Sequence, residues 1–317
     1  MIMSRFGMHV RGVVAAALGV TMLLATAACG TTDDASPAGA SRSSSTSGEM
    51  EGYDLGSVKK DPKIAALLPA SVTKDGKFSV GVETTYAPAE FVAKDGKTAI
   101  GYDMDLARAL AAVFGLKEES VSAPFDSIIP SIGSKFDAGL SGFTVTPERI
   151  KAVDFVSYFS TGSTLVVKHG NPQQVKPKEL CGHSVGVQIG TVQEGSVNDA
   201  NQRCKADGKP AIRVLAQKLQ TDITTAVVTG KADAFYADTP VAGYAVKQTN
   251  NQLQTIGGND DPVPEGIAIK KGDQGTVEAV RQAMQKLMDD GTYGKILEYW
   301  GVSVGAIKTA EINPKVA

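Results

Sequence analysis

Residues 137–155 read DAGLSGFTVTPERIKAVDF, and they hold the parts of a small anion site in consecutive order. A short apolar strand at 137–140 leads into the hydroxyl-rich turn Ser141-Gly142-Phe143-Thr144. Thr146 is a good N-cap, Pro147 suits the first helical position and Glu148 complements the positive end, so the spacing predicts a helix start here. Backbone N–H groups of the preceding turn have no intrahelical acceptors, and Arg149 adds a planar fork of donors that fits a carboxylate. The other reading of this segment is a capped surface helix whose Arg149 pairs with Glu148 or Asp154. Neighbouring segments have to separate the two.

Upstream, residues 78–82 read as a strand followed by a loop to Tyr86 and Pro88. A helix from about Asp103 carries Leu106, Leu110 and Phe114 on one face and stops at Gly115; Ile128, Ile129 and Ile132 show helical spacing over 127–132. Residues 163–168 read as a strand leading out of this unit. The pattern restarts after Pro172. A strand at 184–189 runs into Gly190-Thr191-Val192-Gln193 and a helix, a helix at 221–229 precedes a strand at 232–237 that ends on Asp238, and a return strand at 266–269 leads to helices at 276–290 and 293–300. Such alternation predicts an α/β fold with a mainly parallel sheet. Two similar units and a return strand predict two lobes joined by crossings near 167–171 and 262–268. Open α/β sheets bind ligands beyond the carboxyl ends of their strands. Residues 83–86, 141–144, 188–192 and Asp238 all follow strand ends, so they converge on the interlobe cleft, which favours the anion-site reading of Arg149.

At 317 residues and 42% hydrophobic content the chain can build two medium cores. Its net charge of -2 argues against nucleic acid. His9, His169 and His183 lack carboxylate or cysteine neighbours at metal-ligand spacing, and there is no phosphate-binding loop, dinucleotide glycine fingerprint or nucleophile elbow. Neither a metal nor a cofactor is expected. Arg5 and Arg11 precede an apolar run at 13–28 that has the length of a signal-peptide core. The run ends in TAACG (26–30), which resembles a bacterial lipobox, with Thr26 where a leucine is usual; this makes 1–28 a signal peptide and Cys29 the lipidated mature N-terminus. The Ser-, Thr- and Gly-rich stretch from Gly30 to about Gly52 cannot build a core and would hold the folded part about 25 Å from the membrane, so 29–60 is assigned as lipidated cysteine and flexible tether. Cys181 and Cys204 remain; outside the cytoplasm they favour a disulfide, with two buried free thiols as the alternative.

The segments VGVETTYAP (80–88), GYDMDL (101–106), FDSIIP (125–130), residues 137–155, VGVQIGT (185–191), ADAFYAD (232–238), and DGTY (290–293) with WG (300–301) occur in an order that resembles the solute-binding proteins of polar amino-acid ABC importers. The resemblance implies a two-lobe type II periplasmic-binding-protein fold with a hinge and an interlobe cleft, lobe 1 being 61–168 plus 266–317 and lobe 2 being 169–265. It implies a monomeric receptor, not an enzyme, held by its lipid on the extracellular face of the membrane and serving a permease. Arg149 would take the ligand α-carboxylate with Thr144, Ser141 and Gly142, and Asp238 the α-amino group. Tyr86 and Phe125 would flank the ligand side chain, while Gln188, Thr191 and Val192 complete the carboxylate side. Val192 stands where the family often has a hydroxyl, and Ala89 where phenylalanine is common. Glu83 beside Tyr86 would favour a cationic or amide end, hence arginine, lysine, ornithine or glutamine over glutamate. The competing roles are a lysine partner for Glu83, core positions for Tyr86 and Phe125, and a helix cap for Asp238. Two other functions use this fold: a cyclohexadienyl dehydratase-like enzyme with Glu83 or Glu194 as proton donor, and a sensor that presents its closed form to a receptor kinase.

Overall fold

The computed structural model describes residues 51–316; the signal peptide, the lipobox and Cys29 lie outside the described residues. Its strands are β1 (Lys77–Val82), β2 (Thr85–Tyr86), β3 (Glu90–Val92), β4 (Ala99–Ile100), β5 (Lys117–Ser122), β6 (Ala138–Gly139), β7 (Val153–Lys168), β8 (Ser184–Gln188), β9 (Arg213–Gln217), β10 (Ala234–Asp238) and β11 (Leu253–Lys270). Its helices are α1 (Pro62–Ala65), α2 (Ala70–Thr73), α3 (Tyr102–Phe114), α4 (Phe125–Ser131), α5 (Pro147–Ala152), α6 (Val192–Ala206), α7 (Gln220–Val228), α8 (Thr239–Gln248), α9 (Gln274–Asp289) and α10 (Thr292–Tyr299). Among the described residues no helix is long and apolar enough to cross a membrane.

An eight-stranded sheet of order β5-β1-β6-β11-β7-β10-β8-β9 runs through both lobes. Its wings are parallel, as alternating strands and helices require: β1 pairs with β5 and β6, and β8 with β9 and β10. The centre is not. There β7 and β11 lie antiparallel over almost their whole length, so the sheet is mixed where a mainly parallel one was expected. Residues 153–168, VDFVSYFSTGSTLVVK, are dense in β-branched and aromatic side chains, with Gly162 as the lone weak point, and this composition sustains one long strand.

The central pair links strands of both halves of the sheet. Residues 163–167 of β7 already pair with β10 of lobe 2, whereas Ala268 and Ile269 of β11 pair with β6 of lobe 1. Residues 163–167, expected at the end of lobe 1, are thus hydrogen-bonded to β10. On β11 the register shifts between Ile256 and Asp260, Asp260 and Val263, and Glu265 and Gly266. These bulges span 256–266 and overlap the expected second crossing at 262–268.

The tether ends earlier than residue 60. Tyr53, Leu55 and Val58 pack against the core, Tyr53 N–H donates to Asp105 Oδ2 (2.8 Å), and the Tyr53 and Tyr299 rings meet edge to face. Three apolar residues in six are enough to dock an otherwise polar stretch.

Helices cover both sheet faces. The Ala- and Leu-rich α3 is buried almost all round between the sheet and α9, and Gly115 caps it in the left-handed conformation (φ 71°). On the other face α4 sits over a cluster of Phe125, Ile128, Phe136, Phe143, Val145 and Phe155. Each such side chain contributes roughly 1.5–3 kcal/mol through burial, so the platform under α4 and α5 is rigid. In lobe 2 a disulfide joins Cys181 to Cys204 (Cα–Cα 5.6 Å), tying α6 to the turn ahead of β8. Closing a loop of this size is worth about 3 kcal/mol in the chain-entropy account.

Candidate ligand-binding site

Local chemistry sets Arg149 in place. Thr146 Oγ1 accepts the Arg149 N–H at 3.2 Å and Pro147 opens α5, as the sequence implied. The guanidinium then lies against the stacked Phe125 and Phe143 rings, 5.5 and 5.8 Å from their centroids. Nη1 donates to Thr144 O (2.7 Å) and Nη2 to Gly190 O of lobe 2 (2.9 Å). The surface-pair alternative for Arg149 fails for Asp154, whose carboxylate is held by Lys271, the Gly272 N–H and Asn313. Burial lowers the Arg149 pKa to about 10, with Asp238 nearby acting in the opposite direction, so the group stays cationic at neutral pH. Segment 143–145 is pinned to the hinge strand by Val145 N–H to Pro264 O and Gly266 N–H to Phe143 O, both 2.9 Å.

Across the cleft, Asp238 ends β10 at the start of α8 and is 6% exposed. Its Oδ2 accepts from Tyr86 Oη (2.7 Å) and its Oδ1 from Gln193 Nε2 (2.8 Å); Gln193 also donates to Ser163 Oγ. Burial raises the Asp238 pKa to about 6, partly offset by these donors and by Arg149. Glu83, 3% exposed, accepts through Oε2 from Thr85 Oγ1 and from Gln188 Nε2, both 2.8 Å. Burial pushes its pKa up. No lysine pairs with Glu83 among the described contacts, so a salt bridge is not what holds it.

These contacts cross between lobes: Tyr86 to Asp238, Glu83 to Gln188, Arg149 to Gly190, and the Gln220 N–H to Thr85 Oγ1 (2.9 Å). They enclose a cavity of about 10 Å³ lined by Tyr86, Phe125, Gly142, Thr144, Arg149, Gln188, Thr191, Val192, Gln193 and Asp238. Every site residue expected from sequence lines it except Glu83 and Ser141. Wider surface grooves, of 520 Å³ beside Lys74 and Lys270 and of 400 Å³ between α8 and α10, gather no comparable set of buried charges. The cavity is far smaller than a free amino acid, so a ligand enters only if the lobes part and the Tyr86–Asp238 bond yields.

Some expected polar groups are engaged elsewhere. The Ser141 hydroxyl donates to Glu90 Oε1 (2.6 Å) and accepts the Glu83 N–H (3.1 Å), and the Gly142 N–H goes to Asp103 Oδ2 (3.0 Å). Thr191 Oγ1 donates to Gln188 O and caps α6 at the Glu194 N–H. Ser141, Gly142 and Thr191 thus shape the walls, and Val192 and Gln193, which open α6, line the cavity where a helix start leaves N–H groups without intrahelical acceptors. Gly142 needs its glycine for φ 57°. Among the described residues no cluster of His, Cys, Asp and Glu suits a metal ion. Glu194, one of the two donors considered for an enzyme, accepts the Gly190 N–H at 2.7 Å as part of the helix cap.

Sequence reasoning missed Gln193 and a group of buried acids: Glu90, Asp103 and Glu265. Gln193 had a signal, being a polar residue in the first turn of a helix whose N-terminus faces the cleft. Asp103 and Glu90 had a weaker one, as charges within apolar stretches.

The sequence profile of the bacterial extracellular solute-binding proteins, family 3, matches residues 78–303. The arginine-binding protein ArgT of Corynebacterium glutamicum is 32% identical over 254 residues, covering 80% of this chain and 83% of that protein. An ancestral arginine-binding protein solved with arginine bound superposes with a TM-score of 0.66 at 36% identity, covering 71% of this chain and 98% of that one. An ancestral amino acid-binding protein described as a precursor of cyclohexadienyl dehydratase gives 0.66 at 34%, covering 74% and 99%. With a profile match through both lobes and relatives of this identity, the chain belongs to family 3 of the bacterial extracellular solute-binding proteins.

Proposed function

We propose that this protein captures an amino acid with a cationic or amide-bearing side chain, arginine first among them, and delivers it to the permease of an ABC importer. The observation that carries this reading is the pair Arg149 and Asp238, opposite charges borne by opposite lobes on one small cavity. Arg149 takes the α-carboxylate and Asp238 the ammonium, with Tyr86 and Phe125 along the side chain. Thr144, Gln188, Thr191 and Val192 close the carboxylate side, and Ser141 and Gly142 shape the turn. A zwitterion spans the two charges only when the lobes approach, so binding energy drives closure and the permease meets the closed form. Glu83, beside a cavity with Arg149 as its cation, supports a positively charged or amide ligand end. The arginine-binding relatives agree with that choice. Lobe 1 comprises residues 53–162 with 266–317 and lobe 2 residues 163–265. Lipidation of Cys29 holds a monomer on the outer face of the membrane.

A thermal-shift screen of the twenty amino acids, ornithine and prephenate tests the reading. Arginine at 1,000 times its Kd stabilises by about 4.1 kcal/mol through mass action and raises the melting temperature accordingly. Turnover of prephenate, or a screen in which no amino acid shifts the transition, sinks it.

A further inference from the structure

Behind the Ser141–Gly142 turn lie two acids that the ligand roles above leave unused. Glu90 on β3 and Asp103 in the first turn of α3 are both 0% exposed. They meet because Gly101 lets α3 begin directly against β3: at φ 133° a Cβ there would fall 2.0 Å from Ala89 O, and the Asp103 N–H donates to that same oxygen at 3.0 Å. One oxygen of each acid has ordinary donors. Glu90 Oε1 accepts from Ser141 Oγ (2.6 Å), and Asp103 Oδ2 from the Gly142 N–H (3.0 Å) and Tyr158 Oη (2.9 Å). The other two oxygens, Glu90 Oε2 and Asp103 Oδ1, are buried without a hydrogen-bond partner, on two acids that bracket the same Ser141–Gly142 turn and feel each other's charge. A pair of bare carboxylates repels strongly in a buried setting, and one proton between them turns repulsion into a hydrogen bond.

Position says which acid carries it. Asp103 has two donors and the positive end of a thirteen-residue helix, both of which favour its ionised form. Glu90 has one donor and faces the further acids Glu83 and Glu265. We propose that Glu90 is a carboxylic acid at neutral pH, donating its proton to the Asp103 carboxylate, and that this pair positions the ligand-carboxylate wall by holding the Ser141 hydroxyl and the Gly142 N–H. Burial pushes both acids up, Asp103 to about 7 and Glu90 well above the ordinary carboxylate range. The titratable groups around the pair are Glu83, Tyr102, Tyr158, Asp238 and Glu265, with Arg149 beyond Asp238 and Glu265.

Only the affinity readout below rests on the proposed function. Glu90→Gln keeps an acceptor for Ser141 and a permanent donor for Asp103; Glu90→Ala keeps neither. A raised acid pKa confers stability present below its unfolded value and lost as pH rises through its folded value. The melting temperature of the protein without amino acid, followed from pH 5 to 9, should therefore fall less steeply in Glu90→Gln than in the wild type. Arginine affinity at pH 7 should drop tenfold or more in Glu90→Ala and return to within about threefold of wild type in Glu90→Gln. Identical pH slopes for wild type and Glu90→Gln, or a glutamine variant as impaired as the alanine one, overturn the proposal. If arginine does not bind the wild type, the ligand assignment fails, while the pH slopes still decide the shared proton. Should Glu90→Ala not fold, the wild-type and glutamine slopes decide it as well.

Discussion

The two walls of the cleft hold their charges by different means. On lobe 1 the Arg149 guanidinium rests on two phenylalanine rings and donates to the carbonyls of Thr144 and Gly190. Both of its acceptors are uncharged, so an incoming carboxylate would be its first anionic contact at hydrogen-bond distance. On lobe 2 the Asp238 carboxylate is already wrapped by Tyr86 and Gln193. One wall holds its charge among uncharged acceptors, and the other holds its charge partly satisfied by a phenol and an amide. Burial penalises a charge in both, but only Asp238 already has side-chain donors, Tyr86 from the opposite lobe and Gln193 from its own.

The largest expected effect breaks the first wall. Arg149→Ala should weaken arginine binding by a thousandfold or more, because it leaves the ligand carboxylate desolvated against aromatic rings with no cation; removing one partner of a buried charge pair costs about 3–5 kcal/mol. Calorimetry reads this, and circular dichroism should show the fold intact because the Thr146 cap and the phenylalanine platform do not depend on the guanidinium. An affinity within tenfold of wild type would assign the carboxylate elsewhere.

A smaller effect sharpens the contrast at the far end of the cavity. Glu83→Gln should reduce arginine affinity about tenfold while altering glutamine affinity only two- to threefold, since it removes a charge and keeps the shape. Equal losses for both ligands would mean that Glu83 braces Gln188 rather than reading the ligand.

The smallest effect concerns pH and the second wall. Asp238, raised to about 6, must ionise to hold an ammonium, so arginine affinity should weaken by up to tenfold per unit as pH falls below that value. Stability of the protein without amino acid runs the other way. An acid raised on folding favours the folded state when protonated, and that benefit is lost as pH rises through about 6. Opposite slopes for affinity and melting temperature between pH 5 and 7 are the signature; parallel slopes would point to another group.

Much of this was legible beforehand because it is local. The α5 cap, the α3 stop at Gly115 and the strand ends carrying Glu83, Gln188 and Asp238 follow from short-range rules of capping, periodicity and turn geometry. Misreadings arose where distant segments override local signals. Residues 163–168 read as a separate strand, yet pairing with β11 extends β7 from Val153 to Lys168. Residues 51–60 looked like part of a tether, yet Tyr53 finds Asp105 and Tyr299 far along the chain.

By itself the sequence determined the alternation of strands and helices, the helix start that carries Arg149, and the segments that reach the cleft, because each depends on neighbours within a few residues. Tertiary structure alone decided which polar groups remain available there. Ser141, Gly142 and Thr191 are tied to Glu90, Asp103 and Gln188, and Gln193 emerges as the partner of Asp238. A hydrogen bond is short and directional, so its partner is set by where the folded backbone brings donor and acceptor together, and no spacing along the chain encodes that distance.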